Sequence, residues 1–227
     1  MFEKEHLDNI LKFFSTYPGY SEVERFRKLR HSVGKVKNIF YGDSITAGWP
    51  VHEFFPNHSV LNRGIGGDSV YGLRSRLEDD VFAYSPKRVF MLIGINGIQE
   101  PEERITAHIL ALAGMMRERG IQVGLSSILP LRAQDNRNER FQFQDKIVRI
   151  NDVLKEAAAA DKEFLFLDYH SAVRDESGQL AAECAQEDGL HITFEAYCRM
   201  AEVVRPHLIT QGTGDRPTFH KQKRNST

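Results

Sequence analysis

Four short stretches of this chain carry side chains that could carry out acyl transfer together. Ser44 closes Gly42-Asp43-Ser44, directly after the apolar run from Val36 to Tyr41. A serine hydroxyl is a weak nucleophile by itself. It needs a base, a group to orient that base, and donors for the oxygen that gains negative charge. Asp188-Gly189-Leu190-His191 places a carboxylate three residues before an imidazole, so one short turn can present both. Gly66-Gly67-Asp68 and Gly94-Ile95-Asn96 offer backbone and side-chain donors.

Such residues are useful only if the fold brings them together. Val36 to Tyr41, Ser59 to Arg63, Arg88 to Ile93, Ile121 to Leu129 and Glu163 to Leu167 read as buried parallel strands, because each is a short, nearly continuous apolar run. Between them, helical spacing marks Val70, Leu73, Leu77 and Val81, then Ile105, Ile109, Leu112 and Met116, then Ile147, Ile150, Leu154 and Ala157. A last helix from Thr193 carries Tyr197, Met200, Ala201 and Val204, and Pro206 ends or kinks it. Strands alternating with helices, joined by right-handed crossovers, predict a three-layer α/β/α sandwich on a five-stranded parallel sheet. In such sheets, ligands gather at the carboxyl ends of the strands, where the first three motifs fall.

Gly-Asp-Ser near the N-terminal end, Gly67 before an aspartate after the second strand, Gly-x-Asn after the third and a C-terminal Asp-x-x-His together resemble the SGNH, or GDSL-like, hydrolase superfamily. The resemblance spans roughly Lys35 to Leu208, and the pattern is most similar to the platelet-activating-factor acetylhydrolase-like, short-chain esterase branch. It implies a flavodoxin-like strand order 2-1-3-4-5, a catalytic set of Ser44, Asp188 and His191, and an oxyanion hole from the amides of Ser44 and Gly67 with the Asn96 side chain. It also implies short acyl groups carried on a sugar, a small lipid or lysophospholipid, or a thiol. Ile45 stands where the family name implies leucine. Gly97 follows Asn96 where many members carry aspartate, which leaves open how the Asn96 loop is held.

The same stretches admit rival assignments. His170, two residues after Asp168, is the alternative base. Asp43 is the alternative orienting acid, but adjacency to Ser44 suits it better to a local turn bond. Asp43, Trp49 and Arg132 are candidate substrate contacts: Trp49 could line a wall or anchor a loop, and Arg132 or Arg137 could meet an anionic or sugar substrate from a polar loop. The elbow Gly-x-Ser-x-Gly is absent, since Thr46 occupies the second glycine's place. The glycines from Gly64 fail the dinucleotide fingerprint, and no His-Glu-x-x-His occurs, so neither a metal nor an organic cofactor is expected. A catalytically silent carbohydrate- or acyl-binding module on the same scaffold is the alternative from another class.

The bulk composition agrees with this assignment. With 227 residues, 41% hydrophobic and 27% charged, the chain suits one α/β domain with a full core. A net charge of -1 gives no field for nucleic acid or an anionic membrane, leaving a small ester as the expected partner. No leader or membrane-spanning run is evident, so a cytoplasmic location is expected. Cys184 and Cys198 are expected as reduced thiols, with a disulfide bracing the Asp188–His191 loop as the lesser alternative. Residues 1–34 read as a helical extension, on the domain's flank or serving a homodimer or lid. Residues 35–210 read as the hydrolase domain, and 211–227 as a disordered tail.

Overall fold

The structure, a computed structural model, describes residues 8, 9 and 12, 20–133 and 139–210. Five parallel strands, β1 (Asn38–Gly42), β2 (Val60–Gly64), β3 (Arg88–Leu92), β4 (Gln122–Ser126) and β5 (Phe164–Leu167), form one sheet in the order 2-1-3-4-5. The helices are α1 (Tyr20–Val33), α2 (Ser44–Ala47), α3 (Val51–Phe54), α4 (Val70–Asp80), α5 (Glu102–Arg117), α6 (Gln144–Ala160), α7 (Tyr169–Val173) and α8 (Phe194–Val204).

Side chains alternate across a strand, so each strand feeds two cores. Ile39, Tyr41, Val89, Met91, Val123 and Leu125 pack under α4, α5 and α6. Phe40, Phe90, Leu92 and Leu167 face α7, α8 and the α2–α3 segment. Full burial of one such side chain is worth about 1.5–3 kcal/mol, so these two layers supply the main drive for folding. The helical faces read from the sequence are the buried ones: Leu73 and Leu77 on α4, Ile109 and Leu112 on α5, Ile147 and Ile150 on α6, Met200 and Val204 on α8.

The fourth strand is shorter than its apolar run. The last backbone bond to β5 is Ser127 N to Leu167 O at 3.0 Å, and at Ile128 the Asn151 side chain takes over both backbone groups: Ile128 N donates to Oδ1 at 2.7 Å and Nδ2 donates to Ile128 O at 2.9 Å. Ile128 to Leu131 is thereby freed to line a cleft.

Parallel register pairs Gly42 with Gly64 on one side and with Leu92 on the other. Ser44, Gly67 and Asn96 lie two, three and four residues beyond these aligned positions, so all three fall at one sheet edge. At the opposite edge, Asn38 and Arg88 open β1 and β3 and hold the chain that follows α8. The Asn38 side chain donates to Ile209 O at 2.8 Å, and Arg88 donates to His207 O. Helix α8 thus runs from the edge that carries Ser44 to the far edge.

The described part of the N-terminal extension docks on α4. Arg27 and Arg30 of α1 pair with Asp79 at 3.0 and 2.8 Å, and Phe26 is covered by the Arg63 guanidinium, 4.4 Å from the ring centre. The helix expected over Leu7–Phe14, Arg137 and the tail from 211 fall largely or wholly outside the described residues. Both cysteines are free thiols, Cys184 buried and Cys198 partly so.

Candidate active site

Asp43 ends the β1 turn and starts α2. Its Oδ1 accepts the Ile45 N–H at 3.0 Å, the bond of an N-cap, which sets Ser44 as the first helical residue. The short helix is clamped from two sides. Asn62 of β2 donates to Thr46 O at 2.7 Å and Trp49 O at 2.9 Å, and Tyr197 of α8 donates to Ile45 O at 2.8 Å. The helix lies so close to β2 that a Cβ on Gly64 would stand 2.1 Å from the Ala47 nitrogen. Only a glycine permits that approach.

The Ser44 Oγ lies 3.0 Å from His191 Nε2, and His191 Nδ1 lies 2.5 Å from Asp188 Oδ2. With the ring proton on Nδ1 donated to the carboxylate, Nε2 carries the lone pair that can accept the serine proton. The Asp188 loop is fixed by its own backbone. Asp188 Oδ1 accepts the N–H groups of Leu190 and His191 at 3.0 and 2.8 Å, and Gly189 O accepts the Arg132 N–H at 2.9 Å. Burial pushes the Asp188 carboxyl upward, but the bonds from the His191 ring and the two N–H groups outweigh it and hold it below the usual carboxylate range. It is thus kept as an anion facing the imidazole.

The donors stand opposite. Among the described residues, the N–H groups of Ser44 and Gly67 donate to no other backbone carbonyl. Gly67 has φ 73°, a left-handed conformation that turns the loop after β2 and that a side chain would strain. Asn96 lies in a tight turn over Ile95–Gly97, flanked by the buried Ile95 and Ile98. Its Nδ2 donates one hydrogen to Asp68 O at 2.9 Å, leaving the second for another acceptor. This bond to the neighbouring loop, with the Gly97 N–H on Gly94 O at 3.2 Å, holds the turn.

Beside Asp43 opens a narrow apolar cleft lined by Ile45, Ile95, Ile128, Leu131 and Leu190. Asp43 is the charged group of this lining. Burial pushes its carboxyl up to about 7; the Ile45 N–H works against the rise and the nearby Asp68 adds to it. The other two candidate contacts stand elsewhere. Trp49 is 3% exposed and packs among Phe40, Phe55, Tyr169 and Tyr197, so aromatic clustering makes it a core anchor rather than a cleft wall. The Arg132 guanidinium bonds Asp175 at 3.0 Å and Leu180 O at 2.9 Å, which ties it to the loop that precedes Asp188. His170, the rival base, is buried on α7 with Nε2 unpartnered, and burial lowers its pKa.

The model of the GDSL-like lipase/acylhydrolase family matches residues 40–198, well over half of the chain. The chain belongs to this family. Platelet-activating factor acetylhydrolase IB subunit alpha1 of Bos taurus is 29% identical over 187 residues, covering 78% of this chain and 78% of its own. A solved Streptococcus pneumonia protein named for platelet activating factor superposes with TM-score 0.78 at 24% identity, over 90% of this chain and 99% of its own. An acetyl xylan esterase superposes with TM-score 0.64 at 20% identity, over 77% and 100%. These last two likenesses are of fold. Among the described residues no helix is long and apolar enough to cross a membrane.

Sequence patterns bring out the hydroxyl, imidazole and acid of this GDSL-like site but miss what holds them. Asn62 reads as a strand residue, and Arg76 hides on an apolar helical face. Only the four-residue spacing of Arg76 and Asp80, an ion-pair spacing on one side of a helix, hinted at the latter.

Proposed function

We propose that this chain hydrolyses carboxylic esters of short acyl groups through an acyl-enzyme on Ser44. The observation that carries the reading is the unbroken line from Ser44 Oγ through the His191 ring to Asp188 Oδ2, at 3.0 and 2.5 Å. As Ser44 attacks the carbonyl carbon, its proton passes to His191 Nε2. Asp188 steadies the imidazolium, and the carbonyl oxygen takes the electron pair as an oxyanion. The N–H groups of Ser44 and Gly67 and the Asn96 amide meet that charge. When the tetrahedral intermediate collapses, the alcohol leaves with the proton held by His191. Water then enters along the same route, His191 taking its proton, and releases the acid and the free serine.

The apolar cleft beside Ile45 and Leu190 supports an acyl group of a few carbons as the occupant. That the bovine relative is by name an acetylhydrolase supports the same size class. In this reading residues 35–210 are the catalytic domain and 1–34 an extension on its flank. The test is a serine-directed organophosphate followed by intact-mass and peptide analysis, run beside p-nitrophenyl acetate turnover. One adduct on Ser44 with turnover abolished is expected. An untouched Ser44 in an active preparation overturns the assignment, and a protein that neither reacts nor turns over ester is a binding module.

A further inference from the structure

Beneath the candidate oxyanion hole lies a buried charged cluster with no side chain in the catalytic line. Its centre is Arg76 of α4, 3% exposed. Nε donates to Asp68 Oδ2 at 2.9 Å, Nη1 to Asp80 Oδ2 at 2.6 Å and to Arg63 O at 2.9 Å, and Nη2 to Gly42 O at 3.1 Å, while Nη2 also lies in ion-pair contact with Asp68 Oδ2 at 2.8 Å. A guanidinium has five N–H groups, and four hydrogen bonds from this one hold Gly42, Arg63, Asp68 and Asp80. The Tyr41 ring covers its face, 4.5 Å from Cζ to the ring centre. Arg63 lies 3.8 Å from Asp80, so two arginines face two aspartates and the cluster is close to neutral.

The positions it joins are informative. Gly42 O is at the end of β1, two residues before Ser44. Arg63 O is at the end of β2, leading into the Gly67 turn. Asp68 follows Gly67 directly, and its own carbonyl accepts the Asn96 amide at 2.9 Å. One rigid side chain therefore bonds backbone or carboxylate groups next to two of the three oxyanion donors and reaches the third through a single residue. A buried ion pair adds little net stability compared with well-packed apolar groups, because desolvation offsets its attraction. Its distinctive property is directional, fixing groups to within a few tenths of an ångström where an apolar contact would allow sliding.

We propose that Arg76 is the positioning residue of the oxyanion hole, setting the spacing of the Ser44, Gly67 and Asn96 donors through Gly42 O, Arg63 O and Asp68. The proposal rests on the esterase reading above. Asp80 is the internal comparison, since it bonds the same guanidinium but adjoins none of the donors.

The experiment compares wild type, Ser44→Ala, Arg76→Met, Arg76→Lys, Asp68→Asn and Asp80→Asn. Each is measured for kcat and KM on p-nitrophenyl acetate, for inhibition by an aryl trifluoromethyl ketone, and for thermal midpoint. The ketone takes the Ser44 oxygen on its carbonyl carbon and gives its oxyanion to the hole, so its Ki reports the donors. Expected for Arg76→Met is a fall in kcat of about 100-fold, the scale of losing one donor. KM should stay within about twofold, and Ki should weaken by about the factor lost from kcat. Arg76→Lys should restore part of both, and Asp68→Asn should follow Arg76→Met in direction. Asp80→Asn should lower the thermal midpoint while kcat and Ki stay close to wild type. If Arg76→Met fails to fold, Arg76→Lys and the two aspartate variants carry the comparison. A folded Arg76→Met with wild-type kcat and Ki overturns the proposal alone. So do Asp68 and Asp80 variants that lose kcat equally and in step with thermal midpoint. Full turnover in Ser44→Ala overturns the esterase reading and the proposal with it.

Discussion

Ser44 and His191 are 147 positions apart in the chain, yet Oγ and Nε2 meet at 3.0 Å. The serine is fixed by a cap, two clamps and a glycine-lined contact with β2. The imidazole hangs on a loop braced by Asp188. The predictions that follow test those supports one at a time.

Replacing Asp188 by Asn keeps a side chain that can occupy the same turn but removes the anion and presents an amide to Nδ1. The ring is then favoured in the wrong tautomer. Turnover of p-nitrophenyl acetate should drop by about 10⁴-fold, the scale seen when this acid is neutralised in other serine hydrolases. Because Asp188 is exposed, the thermal midpoint should move little. Steady-state kinetics with a thermal melt on one preparation separates the two effects.

Asn96→Ala removes a donor whose hydrogen bond, among the described residues, is to the Asp68 carbonyl. A loss of roughly 100 to 1,000-fold in kcat with near-constant KM is expected, because the bond to oxygen strengthens only as charge develops. A KM effect in place of a kcat effect would assign Asn96 to ground-state binding.

Gly67→Ala forces a Cβ into a left-handed conformation. Destabilisation of about 1–2 kcal/mol is expected from the backbone alone. If the loop relaxes to relieve the strain, the Gly67 N–H turns away and kcat falls too. Denaturant titration gives the first quantity and kinetics the second.

Asp43 predicts a pH signature of stability. Its folded carboxyl is pushed up to about 7 from an ordinary 3.8, so between these values the native protein binds more protons than the unfolded chain. Stability attributable to this group therefore falls as pH rises from about 4 to 7 and is level above, a span of roughly 4 kcal/mol if the full shift is expressed. Asp43→Asn keeps an acceptor for the Ile45 N–H and removes the titration. The variant's unfolding free energy relative to wild type should climb over that interval. A difference independent of pH would show that Asp43 titrates normally.

Leu190 borders both His191 and the apolar cleft and is only half-buried, so trimming it should widen the cleft at modest cost to the fold. For Leu190→Ala, the ratio of kcat/KM for p-nitrophenyl butyrate over acetate should rise by about tenfold, since a methylene in an apolar site is worth roughly 1–3 kcal/mol. An unchanged ratio would place the acyl chain elsewhere.

The sequence alone brought out the layers and the candidate site residues. Short continuous apolar runs alternating with amphipathic helical spacing suit strands covered on both faces, and Ser44, Asp188, His191, Gly67 and Asn96 stand out as candidates because few other residue types suit acyl transfer. Tertiary structure decided which rivals remained. Trp49 and Arg132 had the right chemistry for substrate contacts, but one lies in the aromatic core and the other is held by Asp175. Asn62 and Asn151 were invisible in one dimension, and Arg76 showed only by its spacing from Asp80, because a polar side chain on an apolar element is informative only once its partners elsewhere in the chain are known. The hydrogen bonds that fix this site run between strand ends aligned by register, and register is a property of the folded sheet that no local stretch of sequence contains.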